Sequence, residues 1–347
     1  MSLIKWNLTV AICASIVFCA AFSAHGEAAG TVDSARVIFE QPVLEGVAGN
    51  FHVPLAEHGY PKERTFNLIL WQPNPETADG KLVPTSWRAG DRTGFYPAGA
   101  PEEHQAGFRD AVGASTVQIE GDTVGAYLNS QDLPQGSNGD KMMITPECRF
   151  SNKQGTYPFA HPGTAIAVSL ELQVPTARDQ YRKGCLTYAV SDLQFEDRRT
   201  HTQISYGIGL FHHGATPGPQ ASPDWLRGTE VGAFDVPSHS FQVGNHLAPG
   251  SRVVTVLAGS TLFQNQPWKG WRTFRGAVTE ANFRTALQAL KAKHPEFGGS
   301  ENPADYELTR WHLNAELKFS TGPAELGWSM RLARIELVPD VELKRSE

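Results

Sequence analysis

Four cysteines among 347 residues are too few for a disulfide-built scaffold, and two of them, Cys13 and Cys19, fall near the start of the chain. Charge is also sparse, at 19% of residues, and it leans negative, with 30 Lys+Arg against 36 Asp+Glu. No Lys/Arg cluster stands out, which removes the electrostatic footprint of a nucleic-acid partner and leaves no basic face for anionic lipid. Heptads, a period-three glycine pattern and a fixed repeat are all missing, which excludes coiled coil, collagen and solenoid architectures. Several catalytic signatures are missing as well: a Gly-x-Ser-x-Gly elbow, a phosphate-cradling Gly-x-x-x-x-Gly-Lys-[Ser/Thr] loop, His-Glu-x-x-His, Cys-x-x-Cys and an EF-hand loop. The strand motif Glu-x-Asp-x-x-Glu of sandwich-fold retaining glucanases is absent too. Neither a metal nor another cofactor is expected: His212 and His213 are adjacent on a strand, point oppositely, and cannot both bind one ion without distortion.

Long apolar stretches are absent except for one. Leu8 to Phe22 is an apolar run of about 15 residues preceded by Lys5 and followed by small residues around Ala24 and Gly26. This is short for a membrane-spanning helix, which needs roughly 20 residues. We read residues 1–26 as a cleaved signal peptide, which implies a periplasmic or extracellular protein with no membrane span once the signal is gone. Removing Lys5 leaves 29 basic and 36 acidic residues, a net charge of about −7. Export would carry Cys13 and Cys19 away and leave Cys148 and Cys185 as an even pair, for which one disulfide is expected. Closing that loop of about 37 residues would stabilise the fold by roughly 3 to 4 kcal/mol in the chain-entropy model. Two buried thiols are the alternative.

Turn formers are abundant: 33 Gly and 23 Pro make up roughly 16% of the chain. Between them lie short segments of period two, including 66–71, 165–174, 185–195, 203–213, 239–247, 252–258, 308–319 and 328–338. The pattern predicts an all-β, antiparallel two-sheet sandwich with long loops, residues 27–347 forming one decorated domain, although the length also allows two. One helix interrupts it near 280–294. Thr279 is a reasonable N-cap, Phe283, Leu287 and Leu290 share a face, and Pro295 follows the end.

The most informative stretch is Thr309 to Phe319. Alternation puts Trp311, Leu313, Ala315, Leu317 and Phe319 on one face and Arg310, His312, Asn314, Glu316 and Lys318 on the other. The second set joins an imidazole, an amide, a carboxylate and two cations in one row, which suits proton transfer beside countercharges. It equally suits a solvated outer face. Glu171 and Gln173 on the 165–174 strand, and Arg331 or Arg334 beyond a bulge near Ala333, would extend the row if those strands are neighbours. Trp268 and Trp271, in a Gly/Pro-rich connection, could be platforms for sugar rings or caps on the core. In 203–213, bare backbone at Gly207 and Gly209 would let a ligand or a second strand approach.

The profile resembles jelly-roll and lectin-like sandwich proteins that handle polysaccharides, a resemblance of fold pattern only. It implies an oligosaccharide or polysaccharide partner. Three readings follow. The first is a lyase on an acidic glycan, or another polysaccharide-degrading enzyme, with His312 transferring the proton, Asn314 and Arg310 holding the sugar acid and Glu316 orienting its neighbours. The second is a noncatalytic glycan binder using Trp268 and Trp271, and the third a structural envelope protein with its polar faces merely wet.

Overall fold

The computed structural model describes residues 34–41, 53–54, 65–73, 82–86, 107–109, 116–120, 122–129, 141–150, 156–179, 186–214, 224, 227–236, 240–318 and 324–343. The expected signal peptide lies outside these residues. In chain order the strands are β1 (Arg36–Glu40), β2 (Val53–Pro54), β3 (Thr65–Pro73), β4 (Leu82–Ser86), β5 (Gly107–Arg109), β6 (Thr116–Glu120), β7 (Thr123–Asn129), β8 (Lys141–Arg149) and β9 (Thr164–Asp179). They continue with β10 (Leu186–Asp197), β11 (Thr202–Gly214), β12 (Gly232–Val236), β13 (Ser240–His246), β14 (Thr255–Val256), β15 (Trp268–Thr279), β16 (Tyr306–Lys318) and β17 (Ala324–Pro339). The helix α1 spans Glu280–Lys293.

Among the described residues these form two facing sheets, the jelly-roll-like β-sandwich that the period-two pattern predicts. The eight-stranded sheet runs β14-β15-β9-β17-β7-β6-β5 with β1 added to β17, and the nine-stranded sheet runs β12-β13-β11-β10-β16-β8-β3-β2 with β4 added to β3. Alternation along each strand sends one set of side chains into a shared core. On β9 the core set is Ile166, Val168, Leu170, Leu172 and Val174, and on β16 it is Trp311, Leu313, Ala315 and Leu317, all nearly inaccessible. The Phe39 and Trp311 rings, 5.3 Å apart, join the two sheets.

Three features depart from the sequence expectation. The nine-stranded sheet is mixed, because β13 inserts between β12 and β11 and so runs parallel to β11. β8 is a central strand despite Pro146, and its ladder with β16 lapses between His312 and Ala315, where proline has no N–H to offer. The segment containing Trp268 and Trp271 is strand β15 rather than a connection; Gly270, at φ 81°, sits at its irregular start, where the register with β9 shifts. The bulge anticipated near Ala333 is present: the β17–β9 register shifts between Arg331 and Arg334, and Leu332 takes φ 53°.

α1 forms where the Thr279 cap and the 3.6-residue spacing predict it. The Thr279 hydroxyl accepts from the Asn282 N–H while the Asn282 side chain answers at the Thr279 N–H, a reciprocal pair that satisfies two orphan donors. Its apolar stripe of Phe283, Ala286, Leu287 and Leu290 is buried. Phe283 contacts the rings of Phe159, Phe195, Tyr206 and Tyr306 at 4.6 to 5.5 Å, so the helix covers one edge of the sandwich with its apolar face turned inward and Arg284, Gln288 and Lys291 exposed on the other.

The expected disulfide is not supported. Cys148 is buried on β8 as the register partner of Trp311, and Cys185 lies outside the described residues. Its chain neighbour Leu186 pairs with Lys318, seven positions further along β16 than Trp311. That offset is about 23 Å along the strand, whereas a disulfide needs Cα atoms within roughly 7 Å.

Candidate functional site

The outer face of the nine-stranded sheet carries the polar row of β16, and it is not a solvated face. His312 is 9% exposed and Glu316 1%, and the register brings in Asp192 of β10, itself only 3% exposed. Direct cross-strand partners share a face, so Gln194 stands beside Arg310, Asp192 beside His312, Val190 beside Asn314 and Tyr188 beside Glu316.

Asp192 is the electrostatic centre. Its Oδ2 lies 3.5 Å from His312 Nε2 and accepts a hydrogen bond from the Ser205 hydroxyl of β11, while Oδ1 accepts from Gln194 Nε2 at 3.1 Å. Burial outweighs these donors and the nearby Arg310 charge, and pushes the carboxyl up from its ordinary value to about 6. Burial, aided by Arg310, drives His312 the other way, to about 3. The imidazole is therefore neutral throughout the physiological range, and its Nδ1 is buried without a hydrogen-bond partner among the described residues. Between about pH 3 and 6 both members are neutral; above 6 Asp192 carries the charge.

The second half of the row is a Tyr–Asn–carboxylate cluster. Asn314 Nδ2 donates to Glu316 Oε2 at 3.5 Å, and the Tyr188 hydroxyl hydrogen-bonds both Glu316 and Asn314. Burial first, and the Glu316 charge second, push the phenol well above its usual value, so Tyr188 acts as a donor and not as a phenolate. Beyond it on β11 stands His212, brought down to about 4 by burial, its ring centroid 6.3 Å from that of His246. His246 is itself brought down to about 3, also by burial, and lies stacked on Phe263 at 3.7 Å. The bare backbone at Gly207 and Gly209 serves the second strand: a Cβ at Gly244 of β13 would sit 2.2 Å from the Gly207 oxygen, and one at Gly209 would sit 2.6 Å from His246 Nδ1.

Of the residues the sequence singles out, Arg310, His312, Asn314 and Glu316 form one continuous surface. Lys318 lies at the strand end, paired in register with Leu186 and Lys141. The other five do not join it, because β9, β15 and β17 belong to the opposite sheet, whose outer face points the other way. There Arg331 Nε donates to Glu171 at 2.6 Å, and its guanidinium lies 4.4 Å over the Trp271 ring. Gln173 neighbours Ser329 on the same face. Trp268 is a core residue, 6% exposed, its Nε1 donating to the Leu172 oxygen at 3.3 Å. It is no exposed platform.

Sequence reasoning missed Asp192, Gln194, Ser205 and Tyr188. The alternation of β10 marks Tyr188, Asp192 and Gln194 as a polar face, but only the strand order makes it the neighbour of His312. Glu147 of β8 is the register partner of His312 on the other side. Among the described residues no group of three or more His, Cys, Asp or Glu side chains could hold a metal ion, and no helix is long and apolar enough to cross a membrane.

No protein-family model matches this sequence, and no curated protein matches it. Solved structures similar to this one include the family 11 xylanase from Neocallimastix patriciarum, at 11% identity over 67% of this chain and 90% of that one, with a TM-score of 0.35. The xyloglucanase domain of NopAA, a type three effector from Sinorhizobium fredii solved in complex with cellobiose, is similar at 10% identity over 86% and 99% of the two chains, with a TM-score of 0.35. The endo-1,4-beta-glucanase CelB2 follows at 13% identity over 63% and 86%, with a TM-score of 0.26.

Proposed function

We propose that this protein is an exported polysaccharide-active enzyme working through the outer face of the nine-stranded sheet, and that its reaction is elimination on an acidic glycan. The observation that carries this reading is the buried Asp192–His312 pair beside Arg310. A proton-transfer group works best with a pKa near the operating pH. Asp192, at about 6, meets that condition and His312, at about 3, does not. We therefore assign proton transfer to Asp192 and give His312 the task of positioning it and donating or accepting a neutral hydrogen bond. Arg310 supplies the countercharge for the uronate carboxylate and for the carbanion character that develops next to it. Asp192 takes the proton from the carbon next to the carboxylate, the electron pair forms the new carbon–carbon double bond, and the adjacent glycosidic C–O bond breaks. The Tyr188 hydroxyl is the donor available to the departing sugar oxygen.

Hydrolysis is the second reading, and one register relation favours it: Asp192 and Glu147 flank His312 on adjacent strands, about 10 Å apart at their Cα atoms. Two acidic residues on one sheet face, with a third residue between them, is the composition from which inverting glycosidases draw their acid and base. Asp192 and Glu316, four positions apart along the strands, are too distant for a retaining pair.

The test is incubation with acidic and neutral polysaccharides, followed by ultraviolet absorbance for an unsaturated product and a reducing-end assay. Elimination predicts both signals, kcat/KM rising with pH through about 6 as Asp192 ionises, and loss of activity in Asp192→Asn. Saturated reducing ends, lost in Glu147→Gln, would establish hydrolysis instead. No product from any glycan leaves the noncatalytic alternative.

A further inference from the structure

The outer face of the eight-stranded sheet, on the far side of the molecule from Asp192, carries a groove of about 290 Å³ bordered by Gly125, Tyr127, Pro175, Thr176, Gly327 and Ser329. This volume is at the small end for a ligand site. We infer that this groove binds a short neutral saccharide, independently of the chemistry on the other sheet.

The register explains the shape. Ser329 pairs with Gly125 on one side and Gln173 on the other, and Arg331, two positions further along β17, lies over the Trp271 ring of β15. One step along, Gly327 pairs with Tyr127 and Thr176. Two glycines thus lower the floor between ring-bearing residues on β7 and β15, three strand spacings or about 14 Å apart. A Cβ at Gly327 would lie 3.4 Å from Thr176 Cβ and 3.6 Å from Tyr127 Cδ2, ordinary contact distances, so its absence leaves usable space; at Gly125 the Cβ would sit only 2.7 Å from Ser329 Oγ, and that glycine is needed for packing.

The chemistry selects the ligand class. Sugar rings offer C–H groups to aromatic rings and hydroxyls to amides and hydroxyls, and the groove supplies Tyr127, Thr176 and Ser329, with Gln173 next to Ser329 in register. The cations flanking the groove each have an acidic register partner: Arg331 is paired with Glu171 at 2.6 Å and stacked on Trp271, and Arg178 faces Glu325. A sugar acid would find each of these cations already beside a carboxylate.

Calorimetric titration of the full chain with cellotetraose and xylotetraose, and with tetragalacturonate as the acidic probe, tests this. Binding of a neutral probe in the millimolar range or tighter is expected, weakened about tenfold by Gly327→Leu, which fills the groove, and severalfold by Gln173→Ala. Near-ultraviolet circular dichroism confirms that both variants fold. Asp192→Asn should bind the neutral probes as the unaltered protein does. The inference is overturned if neither neutral probe binds, if tetragalacturonate competes equally at this site, if both groove variants bind normally, or if Asp192→Asn abolishes neutral-probe binding.

Discussion

Replacing Asp192 by Asn should make the protein more stable at pH 8 than it is now, with the advantage fading as the solution is acidified. The carboxyl rises from 3.8 in the unfolded chain to about 6 in the folded one, a change of about two pH units and thus about 3 kcal/mol of opposition to folding once the group is ionised. Because the folded value is the higher, the native state binds more protons between those limits. Stability therefore falls as pH rises from about 4 through 6, and the full cost is present above. Asparagine offers one acceptor where the carboxylate offers two to Ser205 and Gln194, so the variant loses one hydrogen bond, roughly 1 kcal/mol at every pH. His312 titrates in both proteins with the opposite sign: its depressed value means stability is lost as pH drops below its unfolded 6.5 toward 3, and this contribution largely cancels in the difference. Urea unfolding at one-unit steps from pH 4 to 8 reads the result. The variant should gain about 2.5 kcal/mol on the unaltered protein between the two ends of that range, roughly the first half kcal/mol having developed below pH 4. Parallel stability curves would refute the placement of an ionisable, desolvated carboxyl at this position.

Four other outcomes follow from the packing. Thr279→Ala removes the α1 cap and should cost about 1 kcal/mol by urea midpoint. Phe283→Ala empties the centre of an aromatic cluster and should cost about 3 to 5 kcal/mol, seen as a lower thermal midpoint. Gly209→Ala should be strongly destabilising because of His246, and His246→Ala should recover most of the loss in a double-mutant cycle. A reducing agent should leave the thermal midpoint unchanged, since the register keeps Cys148 far from Leu186.

Much of the architecture was written in local pattern. The alternation of β16, β9 and β11 and the capped 3.6-residue spacing of α1 are short-range signals, and each produces the element it predicts. Pairing is different. That β10 lies between β11 and β16, and that β9 and β17 lie in the other sheet, depends on contacts more than a hundred residues apart in the chain, such as Trp311 to Ser191 and Arg331 to Glu171. For that reason Asp192 escaped notice while Arg331 and Glu171 were credited to the wrong face. β8 and β15 were obscured for local reasons, Pro146 in one and Gly270 in the other, where a ladder lapse and an irregular register accommodate residues that normally end strands.

The position of the last two long strands has a consequence for how the chain acquires its shape during synthesis. β16 joins β10 to β8, and β17 joins β9 to β7. Until residues 306–339 have left the ribosome, each sheet exists only as separate pieces with open edges, β1 having no partner strand at all, and the core between them cannot close. Such long-range closure makes for slow acquisition of structure and a late commitment to it. A chain terminated before Tyr306 would be left as aggregation-prone fragments rather than as a smaller stable unit.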